Sequence, residues 1–211
     1  MRGRTGTSGV VLAAALSLLV VHDVEAGRSC ASAGRRVLAA NTVTVITARA
    51  EHNGNYTGVR ACVRQTGRLS DLQDVGERNP LVAVRRPWAL SGMRFAYVGL
   101  QTDAGGDGHA LFVTNVSRPG RRVALDSGPS HDPPFRSVVV RPGGSTAWIT
   151  GAGTRGYPYV VLLCERKPCL MRDHDFRVLD RGTDIRPQSL RRRGDRVLWT
   201  AGGRTRSAPM R

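Results

Sequence analysis

The feature that most limits what this chain can fold into is an internal echo: Ile46, Tyr97, Trp148 and Trp199 stand 51 residues apart. Each lies in a short alternating run entered through a polar turn. The runs are Asn41-Thr-Val-Thr-Val-Ile-Thr47, Gly92-Met-Arg-Phe-Ala-Tyr-Val98, Gly144-Ser-Thr-Ala-Trp-Ile-Thr150 and Gly194-Asp-Arg-Val-Leu-Trp-Thr200. Alternation of this kind predicts strands covered on at least one face. Self-similarity with a period near fifty residues predicts a propeller or another repeat fold. Two further echoes set the register. Cys62, Val113 and Cys164 are also 51 apart, each in the second predicted strand of its unit, and Asp74-Val-Gly76, Asp126-Ser-Gly128 and Asp180-Arg-Gly182 follow the third. Helical periodicity is absent, so the predicted class is all-β.

Counting strands gives the expected architecture. Unit one runs through 42–48, 58–64, 68–74 and 81–84. Unit two runs through 94–100, 110–116, 122–126 and 137–140, with a loop at 102–108. Unit three runs through 147–150, 159–164, 176–180 and 189–192. Residues 36–39 are left over at the front, and 196–201 and 204–208 at the back. These pieces predict a shared last blade, so that a β-propeller-like array of about four blades is closed by its N- and C-terminal strands. Closure of that kind removes exposed sheet edges. The alternative is a twisted β-sandwich built from the same hairpins.

Residues 1–26 have the form of a secretory signal peptide. Arg2 and Arg4 precede the apolar stretch Val10 to Val21, and Ala26 supplies a small residue for cleavage. The stretch is short of the roughly 20 apolar residues that span a bilayer, so no transmembrane span is expected after cleavage. The expected mature chain is one domain, 27–211, in a secreted or extracytoplasmic setting. The formal charge is +16, and of 32 basic residues all but Lys167 are Arg. Arg binds carboxylate and phosphate bidentately, so an anionic envelope polymer is an expected partner and nucleic acid a less favoured one. The competing reading is that Arg is spread along the chain as general basic solubility. Arg191-Arg192-Arg193 is the one local cluster, a candidate anion site or a solvated, anti-aggregation edge.

Four cysteines in an exported chain imply two disulfides with three conceivable pairings. The five-residue step from Cys164 to Cys169 suits a hairpin staple, which would leave Cys30 with Cys62. A metal site at Cys164, Cys169 and His174 is disfavoured in an oxidising compartment.

Other candidate chemistry is sparse. Asp103-Ala-Gly-Gly-Asp107-Gly108 has the opening of a calcium loop, but Gly105 and Thr114 stand where such a loop needs ligands, and a Gly-Asp turn explains it as well. Asp173-His174-Asp175 sets an imidazole between carboxylates in a predicted connection, the mark of a polar loop more than of a site. Ser130-His131-Asp132 lacks a nucleophile elbow and reads as a proline-capped turn. Asp74, Asp126 and Asp180 read as turn caps, and Tyr97, Trp148 and Trp199 as packing residues before a sugar-binding groove. Asn55-Tyr-Thr57 and Asn115-Val-Ser117 match the glycosylation sequon. No catalytic residue, metal or cofactor is expected.

The run Pro142-Gly-Gly-Ser-Thr-Ala-Trp-Ile149, followed by Tyr159-Val-Val-Leu-Leu163, resembles the TolB-type, WD-like propeller repeat. Gly143 stands where that family has Asp. The likeness extends over most of residues 36–208, and it implies an interaction scaffold without catalysis. The function expected from the sequence is therefore an exported, non-enzymatic binding module for an unknown protein or for an anionic envelope polymer, with a hydrolase the least supported reading.

Overall fold

Two-residue turns decide how the strands group. Ser91 pairs with Arg94 across Gly92-Met93, Arg193 with Arg196 across Gly194-Asp195, and Ala201 with Arg204 across Gly202-Gly203. Gly92, Gly194 and Gly202 adopt φ of 57°, 56° and 56°, the left-handed backbone that tight hairpins require. A strand entering such a turn pairs with the strand leaving it.

The computed structural model describes Cys30 and residues 34–51, 54–72, 81–103, 106–118, 122–128, 135–165 and 176–211. Its strands form four antiparallel meanders in three sheets, the first two meanders being joined in one eight-stranded sheet. The first holds β1 (Arg36–Ala40), β2 (Thr44–Ala50), β3 (Tyr56–Val63) and β4 (Arg68–Asp71). The second holds β5 (Leu81–Ser91), β6 (Arg94–Asp103), β7 (Gly106–Asn115) and β8 (Arg122–Gly128). The third holds β9 (Phe135–Val140), β10 (Thr146–Thr150), β11 (Tyr159–Cys164) and β12 (Arg177–Gly182). The fourth holds β13 (Arg191–Arg193), β14 (Arg196–Ala201) and β15 (Arg204–Pro209). The all-β class is as the sequence indicates.

The grouping differs from the expected one by one strand. Residues 81–84, 137–140 and 189–192, expected to end units one to three, instead open the next meanders as β5, β9 and β13, because the tight turns at 92–93, 142–144 and 194–195 hand them to β6, β10 and β14; β5 also keeps one bridge to the first unit, Tyr56 opposite Val84. By the same rule β1 belongs to β2. The ends do not share a sheet: among the described residues β1 pairs only with β2, and β15 only with β14.

The meanders pack face to face in chain order, giving three cores. Ile46, Val59 and Ala61 of the first meet Phe95, Tyr97 and Phe112 of the second. Ala96, Leu111 and Leu125 meet Val138, Trp148 and Leu162 of the third, whose Ala147, Ile149 and Leu163 meet Val197, Trp199 and Ala208 of the fourth. The second strands β6 and β10 are therefore buried on both faces, which explains runs with no exposed alternate residue. The first strands lie side by side along one edge, β1 beside β5, β5 beside β9 and β9 beside β13.

The 51-residue echo holds for three of its four members. Tyr97, Trp148 and Trp199 each face the preceding meander, whereas Ile46 faces the following one. The reason is register. The Val43 carbonyl accepts the Arg64 N–H as the Met93 carbonyl accepts the Val116 N–H, a spacing of 50 along the second strand, so the hydrogen-bond ladder is one residue out of phase with the echo and the side chain turns to the other face. Thr47, not Ile46, is the counterpart of Tyr97.

Cys30 is bonded to Cys62 and is buried with it and Val45 on the outward face of the first meander. Cys164 is also in a disulfide, with its partner outside the described residues. Among the described residues no helix is long and apolar enough to cross a membrane.

Candidate functional site

The edge where the first strands gather carries the most distinctive backbone feature of the molecule. In β1, Val37 and Ala39 pair with Thr47 and Ile46, so Leu38 is extra. In β5, Arg85 and Trp88 pair with Val98 and Tyr97, so Arg86 and Pro87 are extra. In β9, Phe135 and Ser137 pair with Thr150 and Ile149, so Arg136 is extra. Leu38, Pro87 and Arg136 are 49 residues apart. An extra residue in one strand of an antiparallel pair bends the strand and re-aims its side chain, and such bulges favour functional edges.

Two of these bulges and the segment leading into β13 enclose a cleft of about 600 Å³ lined by Arg86, Pro87, Trp88, Phe135, Arg136 and Gln188. The walls are held from behind. Trp88 donates its indole N–H to the carbonyl of Leu38 at 2.9 Å and meets the Tyr56 ring edge-on at 5.4 Å. The Arg86 guanidinium lies over the Trp88 ring, 5.2 Å from its centroid. Arg136 donates from Nε to the carbonyl of Gly151 at 3.0 Å. Gly151 has φ of 104°, and a Cβ there would stand 2.2 Å from the Pro158 carbonyl oxygen, so only glycine presents that acceptor. The Ser137 hydroxyl donates to the carbonyl of Pro187 at 2.9 Å, fixing the segment that carries Gln188. Two cations and an amide thus face the same space.

A second depression of about 460 Å³, lined by Arg141, Glu165, Asp195, Pro209, Met210 and Arg211, is neutralised internally. Arg141 pairs with Asp195 at 2.6 Å and Arg177 with Glu165 at 3.2 Å. The hydroxyl of Ser145 donates to the carbonyl of Arg211, and Arg141 donates to that of Met210. This depression anchors the chain's last residues.

The sequence candidates divide. Arg191, Arg192 and Arg193 form β13 and are all exposed, but they do not act as one patch. Arg192 stands opposite Val197, on the core-side face, and bonds the Gly194 carbonyl at 3.0 Å. Arg191 and Arg193 stand opposite Leu198 and Arg196, so the outward set is Arg191, Arg193 and Arg196. Asp103 and Asp107 are not in a loop. Asp103 ends β6 and Asp107 lies in β7, opposite Thr102, and an extended hairpin cannot wrap the twelve positions of a calcium loop around an ion. Asp173, His174, Asp175, Cys169, Asp74, His131 and Asp132 lie outside the described residues, as do the side chains of Asp103, Asp107 and Asp126. Among the described residues no group of three or more His, Cys, Asp or Glu is placed to hold a metal.

Asp180 does more than cap its turn. It accepts the Arg181 backbone N–H at 2.9 Å, the Trp199 indole N–H at 2.5 Å and the Arg206 guanidinium at 2.9 Å, joining the third meander to the fourth. Tyr97, Trp148 and Trp199 are core residues, not the walls of a groove.

Sequence reading missed Arg86, Trp88, Arg136 and Gln188. The signal lay in the 49-residue spacing of the bulges, which only strand pairing makes visible. No family model and no curated protein matches this chain.

Proposed function

We infer that this chain is an exported, non-enzymatic binding module whose ligand is an anionic polymer of the cell envelope. The observation that carries the reading is the outward face of the fourth meander. Arg191, Arg193 and Arg196 share that face and are exposed, with about 7 Å between side chains two apart on a strand and about 5 Å across the ladder. Among the described residues no carboxylate pairs with any of the three. Arg196 is braced by Ser207 Oγ at 2.7 Å. Guanidinium groups held at regular spacing on a rigid sheet match a chain of repeated phosphates or carboxylates. Disulfide chemistry favours an extracytoplasmic setting, which is why an envelope polymer is preferred to nucleic acid. A TolB-type repeat scaffold accords with four similar meanders stacked in order, and it supplies the rigidity without supplying chemistry.

The test is affinity for a model polyanion as salt is raised. The chain should be retained on immobilised heparin at low salt and released at moderate salt, because counterion release makes such binding steeply salt-dependent. The triple substitution Arg191→Gln, Arg193→Gln, Arg196→Gln should elute earlier and show a shallower dependence of log affinity on log salt. Retention equal to that of a neutral control protein, or a triple variant that elutes with the wild type, would remove the reading. Tighter binding to double-stranded DNA than to teichoic-type polymer at matched salt would move the ligand to nucleic acid.

A further inference from the structure

The cleft between β5 and β9 is a separate matter from the outward arginine face, since it lies at the edge where first strands meet. We propose that it is a binding site for a compact organic oxyanion, a sugar phosphate or a sugar acid, held by Arg86 and Arg136 with Gln188 at its side. The argument begins with the bulges. In β5 and β9 the residues taken out of the ladder are the ones that carry the guanidinium groups of the cleft. A bulge sacrifices a ladder hydrogen bond, and here each one aims a cation at the same space.

Preorganisation is the second step. Stacking over Trp88 fixes the plane of the Arg86 guanidinium while leaving its in-plane N–H donors at the rim. Trp88 itself is fixed by Leu38 and Tyr56. The Nε bond to Gly151 sets the plane of Arg136. Side chains already ordered before binding lose less entropy on capture of a ligand. Size is the third step: about 600 Å³ falls within the roughly 300–1,000 Å³ of small-molecule sites. Pro87 and Phe135 give the organic body an apolar flank, and Gln188 offers both a donor and an acceptor to hydroxyl groups.

Titration calorimetry on the purified chain at low salt tests this, with glucose 6-phosphate, glucuronate, inorganic phosphate and uncharged glucose as probes. At least one charged sugar should bind and glucose should not; the tighter of the two names the oxyanion. Arg86→Gln should weaken that binding at least tenfold with an unchanged melting temperature, since Arg86 is exposed. Arg136→Gln should weaken the binding as much, with a somewhat lower melting temperature because the bond to the Gly151 carbonyl is lost. The triple variant on β13 and β14 should bind the small ligand as the wild type does, so failure here and failure of the polymer reading are told apart. The proposal is overturned if neither charged sugar binds, if inorganic phosphate binds as tightly as either, or if Arg86→Gln leaves the affinity unchanged.

Discussion

The two ends of the stack solve the same problem differently. Each terminal meander has a face with no further meander against it. At the first end, β2 is buried from Thr44 through Ala48 on both faces. At the last, β14 alternates, with Val197, Trp199 and Ala201 buried while Arg196 is exposed and Leu198 and Thr200 are half-buried. The first face is covered: Cys30 is bonded to Cys62, and Arg35 donates from Nε to the Thr47 hydroxyl at 3.2 Å. The last face is left in water and made basic. A stack of sheets needs polar or covered terminal faces to stay soluble, and here one end uses a covalent strap and the other uses charge. The covered first face carries basic groups as well. Burial first, then the nearby charges of Arg60 and Arg49, hold the Arg35 guanidinium below its ordinary pKa, with Asp71 opposing. Bringing that face against Arg191, Arg193 and Arg196 would bury like charges with few partners.

If the first end depends on its strap, removing the strap should cause the largest loss. The Cys30→Ser, Cys62→Ser pair opens a loop of sequence separation 32, for which loop-closure entropy gives about 2–4 kcal/mol of stability. Chemical denaturation should show that loss, together with faster hydrogen exchange at the amides of β1 and β2. A loss below about 0.5 kcal/mol would mean that Arg35 and the packing of β1 hold this face unaided, and the contrast between the ends would collapse.

The junction with the fourth meander comes next in size. Asp180 is the carboxylate that both Trp199 and Arg206 address, and its side chain is only 9% exposed. Replacing it by Asn keeps an acceptor and removes the charge, so the loss should be about 1–3 kcal/mol, with Trp199 fluorescence altered in the folded state. Arg206→Gln should cost less, because Arg206 is half exposed and its ion pair is screened. Equal losses in the two variants would show that the ion pair, and not the buried indole bond, ties the meander on.

Much of this arrangement was legible in the sequence, and what was not has a physical cause. Alternating runs around Tyr97, Trp148 and Trp199 gave the second strands and their buried aromatic positions. The Gly-containing turns marked the hairpins, but reading units from their most conspicuous strand put β5 and β9 at the end of one meander when each opens the next, with β5 keeping a single bridge back to β3. Ile46 misled because a 51-residue step in sequence is a 50-residue step in strand register, and one residue decides the face. The cleft was invisible. Its cations are surplus residues in a ladder, and a bulge leaves no mark until two strands are paired.

The smallest predicted effect probes the last face directly. Leu198 stands opposite Arg191 and Ser207, on the outward side of β14, whereas Val197 beside it points into the third core. A charge placed at the outward position meets water and the Arg191 guanidinium, so Leu198→Glu should change stability by no more than about 0.5 kcal/mol and should weaken polyanion retention by offsetting Arg191 and Arg193. The same substitution one residue earlier, Val197→Glu, buries an unpaired carboxylate and should unfold the fourth meander. If Leu198→Glu proved as damaging as Val197→Glu, the outward face would have to be covered by something, a second copy of the chain or its own N-terminal face, and a terminal surface kept soluble by charge would be the wrong description of this end.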